Sequence, residues 1–279
     1  MTTPAPPQTA KPWALQELPP FPPVALRVME ELNHKEPDVN RVVGWIQSDP
    51  SFSAELLKVA NSALYGFSYE IVSIRQAAIA LGYDFVQSLA MTVALRNYLR
   101  NATKIPALQQ CWRHCLATAL MAEEVSVAVG GASDAAYTAG LLHDIGRLAL
   151  MAAWPQEYAN VLATVAEHGF ALIDCEREVF DVDHCEAGLW LASHWKLPQP
   201  LADAIAHHHD QGGKLNKDDL PSIVRAACWL ASSLGFGALD ERNPAARASQ
   251  LPELPDELAG RLDLQALTNT TAARIAAVS

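Results

Sequence analysis

The stretch Ala-Gly-Leu-Leu-His-Asp-Ile-Gly-Arg-Leu, residues 139–148, puts two polar side chains next to each other in an otherwise apolar helical segment. Adjacent residues of a helix diverge by about 100°, so His143 and Asp144 can serve one site only if the helix faces a polar pocket there. Burying both without partners would be costly. The pair therefore indicates either a hydrogen-bonded network in the core or a metal ion, and these two residues alone leave both open.

Further histidines favour a shared site. His114 lies on the preceding helical segment, His184 starts a later one, and residues 207–209 are three consecutive histidines at the end of the next. Imidazole and carboxylate together suit one divalent ion of iron, manganese or zinc. Two metals that share a carboxylate could instead activate water for attack on a phosphoryl group. The candidate metal ligands are His114, His143, Asp144, His184 and His208.

The remaining sequence predicts an all-α protein, because no segment alternates β-branched and polar residues for long enough to form a strand. In the first half, helices are predicted to begin at Pro22-Pro23, Asp38, Asp49-Pro50 and Ser73, and a longer one runs from Phe85 to Leu99. In the second half, helices are predicted near residues 107–129, 134–152, 156–168, 183–195, 199–211 and 219–235.

The charge pattern divides the chain. Residues 1–105 hold nine basic and nine acidic side chains, whereas the remainder holds 11 basic and 22 acidic ones and so carries the whole net charge of −11. We predict a Pro-rich tail at 1–15, an N-terminal helical subdomain at 16–105, a second helical subdomain at 106–236 and a C-terminal extension at 237–279.

Charge and hydropathy also exclude classes of partner. An acidic chain offers no broad surface for phosphates, so we expect neither nucleic acid nor a membrane as a partner. The longest uncharged run, between Arg225 and Asp240, is 14 residues, too short for a transmembrane helix. The first residues lack the features of a secretory signal, and the five cysteines form no CxxC pair. The expected location is the cytoplasm, with reduced thiols.

The order of His114, His143-Asp144-Ile-Gly-Arg, His184 and His208-His209 resembles the HD superfamily of metal-dependent phosphohydrolases, and more closely its HDOD domain. The strings that carry the resemblance lie at residues 18–26, 49–52, 56–66 (ending Asn-Ser-Ala-Leu-Tyr-Gly), 78–82, 139–148, 183–184 and 195–198. The resemblance covers roughly 16–235. It implies an N-terminal helical bundle packed on an HD-like helical domain, and a role in bacterial signal transduction, usually without demonstrated catalysis.

Two positions depart from the active relatives. Aligned with them, Cys228 stands where they carry a late aspartate, and Arg147 stands where the relatives that cleave cyclic-di-GMP carry lysine. We therefore expect a signalling module that binds a protein partner, through a groove between the two halves, and keeps a vestigial metal site without catalysis. The alternative is a metal-dependent phosphohydrolase acting on a nucleotide or phosphodiester, which the retained histidines and Asp144 favour.

Overall fold

The computed structural model describes residues 12–16, 18, 21–32, 38–62, 69–99, 105–210, 214–238 and 255–276. Within these ranges every regular element is a helix, which confirms the predicted all-α class. The first half contains a 3-10 helix, Trp13–Leu15, followed by α1 (Pro23–Leu32), α2 (Val39–Gln47), α3 (Pro50–Ala60), α4 (Ile74–Leu81) and α5 (Tyr83–Leu99). The second half contains α6 (Pro106–Val129), α7 (Ser133–Leu142), α8 (Ile145–Ala153), α9 (Pro155–His168), α10 (Leu172–Phe180), α11 (His184–His194), α12 (Gln199–His207), α13 (Leu220–Ser233) and α14 (Leu264–Ala276).

Side-chain caps fix the helix starts that the sequence predicts in the first half. The Asp38 carboxylate accepts a hydrogen bond from a backbone N–H in the first turn of α2, Asp49 does the same for α3, and Ser73 for α4. These caps satisfy backbone donors that have no partner within the helix. α2 packs against α1, α3 and α4, and these three helices also pack on α5.

The distinctive string at residues 61–66 is described only at its first two residues. Asn61 ends α3, and its Oδ1 accepts a hydrogen bond from the Ile71 backbone N–H at 2.7 Å. Its Nδ2 donates to the carbonyls of Leu57 and Ile71 at 2.9 and 2.8 Å. Asn61 thus joins the end of α3 to the segment before α4, which is a structural role. Residues 63–66 lie outside the described part of the chain.

The long helix α6 is the centre of the second half. α7 and α13 pack along it, α8 and α14 also contact it, and α11 lies between α8 and α12. α12 also packs against α7 and α13, and α13 against α7. This is the region in which the predicted ligands lie.

Buried polar and aromatic contacts join the two halves. Between α5 and α7, Ser88 Oγ lies 3.2 Å from Thr138 Oγ1, and Thr92 Oγ1 lies 3.3 Å from Tyr137 Oη. The ring of Phe21, just before α1, stacks on Trp195 at the end of α11, with a centroid distance of 4.1 Å. Among the described helices, none is both long and apolar enough to cross a membrane.

The end of the predicted tail is not free chain. Ala14 and Leu15 are fully buried, and Trp154 donates its indole N–H to the Ala14 carbonyl at 2.7 Å. Trp13 donates its own indole N–H to Asp181 at 2.8 Å. These partners belong to the second half, so residues 13–15 pack against that half of the chain. The rest of the predicted tail lies outside the described residues apart from Pro12, and the remaining domain limits stay predictions.

The helices of the second half differ from the prediction in three places. The helix predicted at 134–152 is interrupted between α7 and α8, and the sequence did not predict α10. α10 was missed because Glu176, which is fully buried, occupies a position on its inner face where an apolar residue would be expected. The helix predicted to reach residue 211 ends at His207, where His208 Nδ1 bonds the Ile205 carbonyl instead.

Candidate metal centre

The interruption between α7 and α8 falls on His143 and Asp144. His143 bonds back to the Gly140 carbonyl through Nδ1 at 2.7 Å, and Asp144 leaves helical geometry with φ −100° and ψ 20°. A continuous helix would turn the two side chains about 100° apart. The turn instead lets both reach one buried site, and this explains why a polar pair stands in such an apolar stretch.

Asp144 lies among three imidazoles, those of His143, His184 and His208, and His143 in turn contacts a fourth, that of His114. Asp144 Oδ1 is 3.5 Å from His208 Nε2 and 3.7 Å from His184 Nε2. Its Oδ2 is 3.6 Å from His143 Nε2, which in turn is 3.3 Å from His114 Nε2. All five side chains are at most 2% exposed. The structure therefore brings together every residue that the sequence singled out as a candidate metal ligand.

In each of the four imidazoles, the nitrogen Nδ1 makes a hydrogen bond that holds the ring in place. The Nδ1 atoms of His114, His143 and His208 lie 2.7, 2.7 and 2.8 Å from backbone carbonyls, and His184 Nδ1 lies 2.6 Å from a carboxylate oxygen of Glu176. Carbonyl and carboxylate oxygens only accept, so in a neutral ring the proton sits on Nδ1 and Nε2 keeps its lone pair. This is the arrangement that metal-binding histidines adopt.

Glu176 supports His184 from behind and was not predicted from the sequence. It accepts hydrogen bonds from the His184 ring, from the His184 backbone N–H at 3.0 Å and from the Tyr158 hydroxyl. Burial by itself would raise the pKa of Glu176, but the His184 hydrogen bond and neighbouring positive charge hold that pKa below its usual value. The carboxylate is therefore ionised and fixes the His184 ring.

Glu176→Gln is expected to weaken metal binding about 10- to 100-fold, because an amide in place of the carboxylate no longer polarises and orients His184. The measurement is the zinc dissociation constant by competition with a chelating dye. Glu178→Gln is the matched control, because Glu178 is exposed on the same helix α10. Equal affinities for both variants would show that His184 needs no support from Glu176 or does not bind the ion.

Arg147 supplies a positive charge to the same site. Its Nη1 lies 2.8 Å from Asp144 Oδ2 and its Nη2 lies 3.3 Å from His184 Nε2, and the residue is 5% exposed. Burial would raise the pKa of Asp144, but the Arg147 charge and the surrounding histidines hold that pKa well below its ordinary value. Asp144 is therefore ionised at neutral pH, and Arg147 is its counter-ion.

The donor set fits a divalent ion. Both Asp144 oxygens and His208 Nε2 are buried atoms that have no well-formed hydrogen bond. Burial lowers the pKa of His114 and of His143, so both rings are neutral and able to donate a lone pair. Buried polar atoms without partners are costly, and a metal ion bound among them would remove that cost.

A cavity of about 330 Å³ adjoins the cluster. Its wall includes Cys228, whose Sγ lies 3.5 Å from His114 Nε2, so the thiol stands beside the predicted ligands as the alignment implied. His209 also lines the cavity, with its ring 5.0 Å from that of His184. His207, the first of the three consecutive histidines, is exposed, and its Nδ1 lies 2.9 Å from Asp210 Oδ2.

Comparison with known proteins identifies the family. The family model for the HDOD domain matches residues 18–211. The chain belongs to the HDOD family. The fold agrees, since the chain superimposes on an HDOD domain protein from Geobacter sulfurreducens with a TM-score of 0.64 over 92% of this chain and 84% of that one, at 24% identity. A provisionally named phosphohydrolase from Shewanella amazonensis SB2B gives a TM-score of 0.69 at 24% identity, covering 95% and 96% of the two chains.

Curated relatives of this HDOD chain are longer proteins. It is 26% identical over 198 residues to an uncharacterized protein of Treponema pallidum, which covers 70% of this chain and 38% of that protein. It is 26% identical over 207 residues to ribonuclease Y of Thermus thermophilus, covering 73% and 28%. The chain thus spans about a third of the length of the curated relatives it matches.

Proposed function

We propose that this HDOD protein is a bacterial signal-transduction module that acts by binding a protein partner, and that its buried cluster holds a divalent metal ion without hydrolysing phosphoesters. The HDOD family and the helical fold support the signalling role. The observation that carries the absence of catalysis is the pairing of Arg147 with Asp144 combined with a thiol, Cys228, at the position of the late carboxylate.

Phosphoester hydrolysis requires positive charge that is free to meet the substrate. Arg147 is the one lysine or arginine among the described residues that line the cavity, and its guanidinium is already paired with Asp144 at 2.8 Å. Phosphate recognition relies on such cationic donors.

The two halves offer a partner one continuous surface. The buried contacts between α5 and α7, and the stacking of Phe21 on Trp195, fix the halves relative to each other. Grooves at such junctions commonly bind ligands and partners. We therefore expect partner capture to need the whole chain. If residues 106–279, shown to be folded by circular dichroism, capture every partner that the whole chain captures, the groove between the halves is not the docking surface.

Purified protein supplied with manganese, iron or magnesium should release no product from cyclic dinucleotides, nucleoside phosphates or generic phosphodiesters beyond that of the Asp144→Ala variant. The measurement is product formation followed by chromatography. Turnover in the wild type that disappears in Asp144→Ala would favour the alternative, a metal-dependent phosphohydrolase. The intact set of four histidines around Asp144, open to a cavity of about 330 Å³, is the observation that supports that alternative.

A further inference from the structure

We propose that Cys228 is itself a metal ligand, and that His114, His143 and Cys228 form a zinc site beside Asp144. This inference rests on the proposed metal-binding role of the cluster and adds which ion it takes and through which atoms. On this view the cysteine at the position of the late carboxylate does not abolish the site. It converts a site for harder ions into one that prefers zinc.

The distances between the donor atoms match a tetrahedral zinc site. With bonds of about 2.0–2.1 Å to nitrogen and about 2.3 Å to sulfur, tetrahedral geometry separates two nitrogens by about 3.3–3.4 Å and nitrogen from sulfur by about 3.5–3.6 Å. In the structure, the Nε2 atoms of His114 and His143 are 3.3 Å apart, and Cys228 Sγ is 3.5 Å from His114 Nε2. The three donors all lie within 4.8 Å of one another.

Asp144, next to these three donors, gives the independent sign that something binds here. Its Oδ2 lies 3.6 Å from His143 Nε2 and pairs with Arg147 Nη1 at 2.8 Å. Its Oδ1 is buried, has no hydrogen-bond partner and is not part of the Arg147 ion pair. A cation bound beside this carboxylate would lower the cost of that unsatisfied buried oxygen.

The chemistry of the ligands determines which cation the site prefers. A thiolate is a soft donor that favours zinc, whereas carboxylates and water suit manganese and magnesium. Binding of Zn²⁺ forms a zinc–sulfur bond, breaks the S–H bond of Cys228 and releases one proton to solvent. Cys228 is half-buried and lines the cavity, so both the ion and the proton have a path.

A second cysteine lies close by but faces the wrong nitrogen. Cys185 Sγ is 4.0 Å from His208 Nδ1, which is already bonded to the Ile205 carbonyl. Since His208 directs its other nitrogen, Nε2, toward Asp144, the Cys185 thiol approaches the side of that ring that is already bonded to Ile205. Cys185 Sγ also lies within 4.8 Å of donor atoms of His184, His208 and His209, so Cys185 is both the control for Cys228 and the competing thiol.

The test uses the full-length protein loaded with cobalt(II), which replaces zinc and reports on its ligands. We expect an intense thiolate-to-cobalt charge-transfer band in the near ultraviolet for the wild type and for Cys185→Ser, and its loss in Cys228→Ser. Direct titration should show a zinc affinity at least tenfold lower in Cys228→Ser than in Cys185→Ser. The ratio of zinc to manganese affinity should also fall at least tenfold in Cys228→Asp.

The outcomes separate this inference from the proposed function. If cobalt binds but the charge-transfer band is absent, or persists in Cys228→Ser, then Cys228 is not a ligand, although the cluster still binds metal. A band lost in Cys185→Ser instead would assign the metal to the other side of His208 and overturn the proposal. Circular dichroism of each variant establishes that it is folded before the cobalt spectrum is read.

Discussion

Gly146→Ala is expected to destabilise the protein by about 3 kcal/mol or more and to remove metal binding. Gly146 begins α8 directly after the His143-Asp144 turn, where α8 crosses α11. A Cβ added there would lie 2.5 Å from the Gly188 backbone nitrogen and closer still to the His184 carbonyl oxygen. Both are backbone atoms, so neither can move by a rotamer change. The two helices must separate, and they carry Asp144 and His184.

Gly44→Ala is the control for this substitution. Gly44 is exposed within α2, and an added Cβ there meets nothing within 4 Å. Because alanine favours helix over glycine by about 1 kcal/mol, this variant should be as stable as the wild type or more so. Urea unfolding curves give both free energies, and a zinc titration gives both affinities. Wild-type stability in Gly146→Ala would show that the α8–α11 crossing is looser than the structure describes.

Asp144→Asn should lower the free energy of unfolding of the metal-free protein by about 3–5 kcal/mol, because it leaves the buried Arg147 guanidinium without its counter-ion. Arg147 Nη1 lies 2.8 Å from Asp144 Oδ2, with side-chain exposures of 6% and 1%. The measurement is urea unfolding in the presence of a chelator, so that the lost metal ligand does not contribute. Asp210→Asn is the control, since Asp210 pairs with His207 on the surface and should change stability by less than about 0.5 kcal/mol.

The difference in unfolding free energy between the wild type and Asp144→Asn should change with pH in one direction. The pKa of Asp144 is held well below its ordinary value in the folded protein. The carboxylate therefore contributes stability above the pKa of the unfolded chain, about 4, and this contribution is lost as the pH falls from there toward the folded pKa. The gap between wild type and Asp144→Asn should thus be constant near neutrality and narrow below about pH 4. A gap that stays constant down to pH 2 would mean that the charge of Asp144 is not what Arg147 requires.

Local signals were enough to predict most of the helices. Asp38, Asp49 and Ser73 mark helix starts because a short polar side chain before an apolar periodic segment caps free N–H groups, and this depends on neighbours in sequence only. The five candidate ligands were identified because histidine and aspartate stand out in apolar helices. Their convergence on Asp144 agrees with that expectation, whereas their role as ligands stays a prediction.

Other features depend on tertiary contacts that no local pattern records. The sequence of residues 139–148 is as helical around His143 and Asp144 as on either side, so the turn could not be predicted; it forms where His143 bonds the Gly140 carbonyl and α8 packs against α11. Glu176 looked like one more charged surface residue, and only the fold places it behind His184. The burial of residues 13–15 likewise depends on Trp154, which is distant in sequence.

The claim that the cluster holds a metal ion is tested most directly by elemental analysis of the full-length protein after zinc loading and exhaustive dialysis. The wild type should retain about one zinc per chain, held by one closed set of ligands. His143→Ala and Asp144→Ala should each retain almost none, because His143 belongs to the groups His114-His143-Cys228 and His143-Asp144-His208, and Asp144 supplies the carboxylate of the second. Wild-type protein without zinc, or zinc that survives in both variants, would contradict the account.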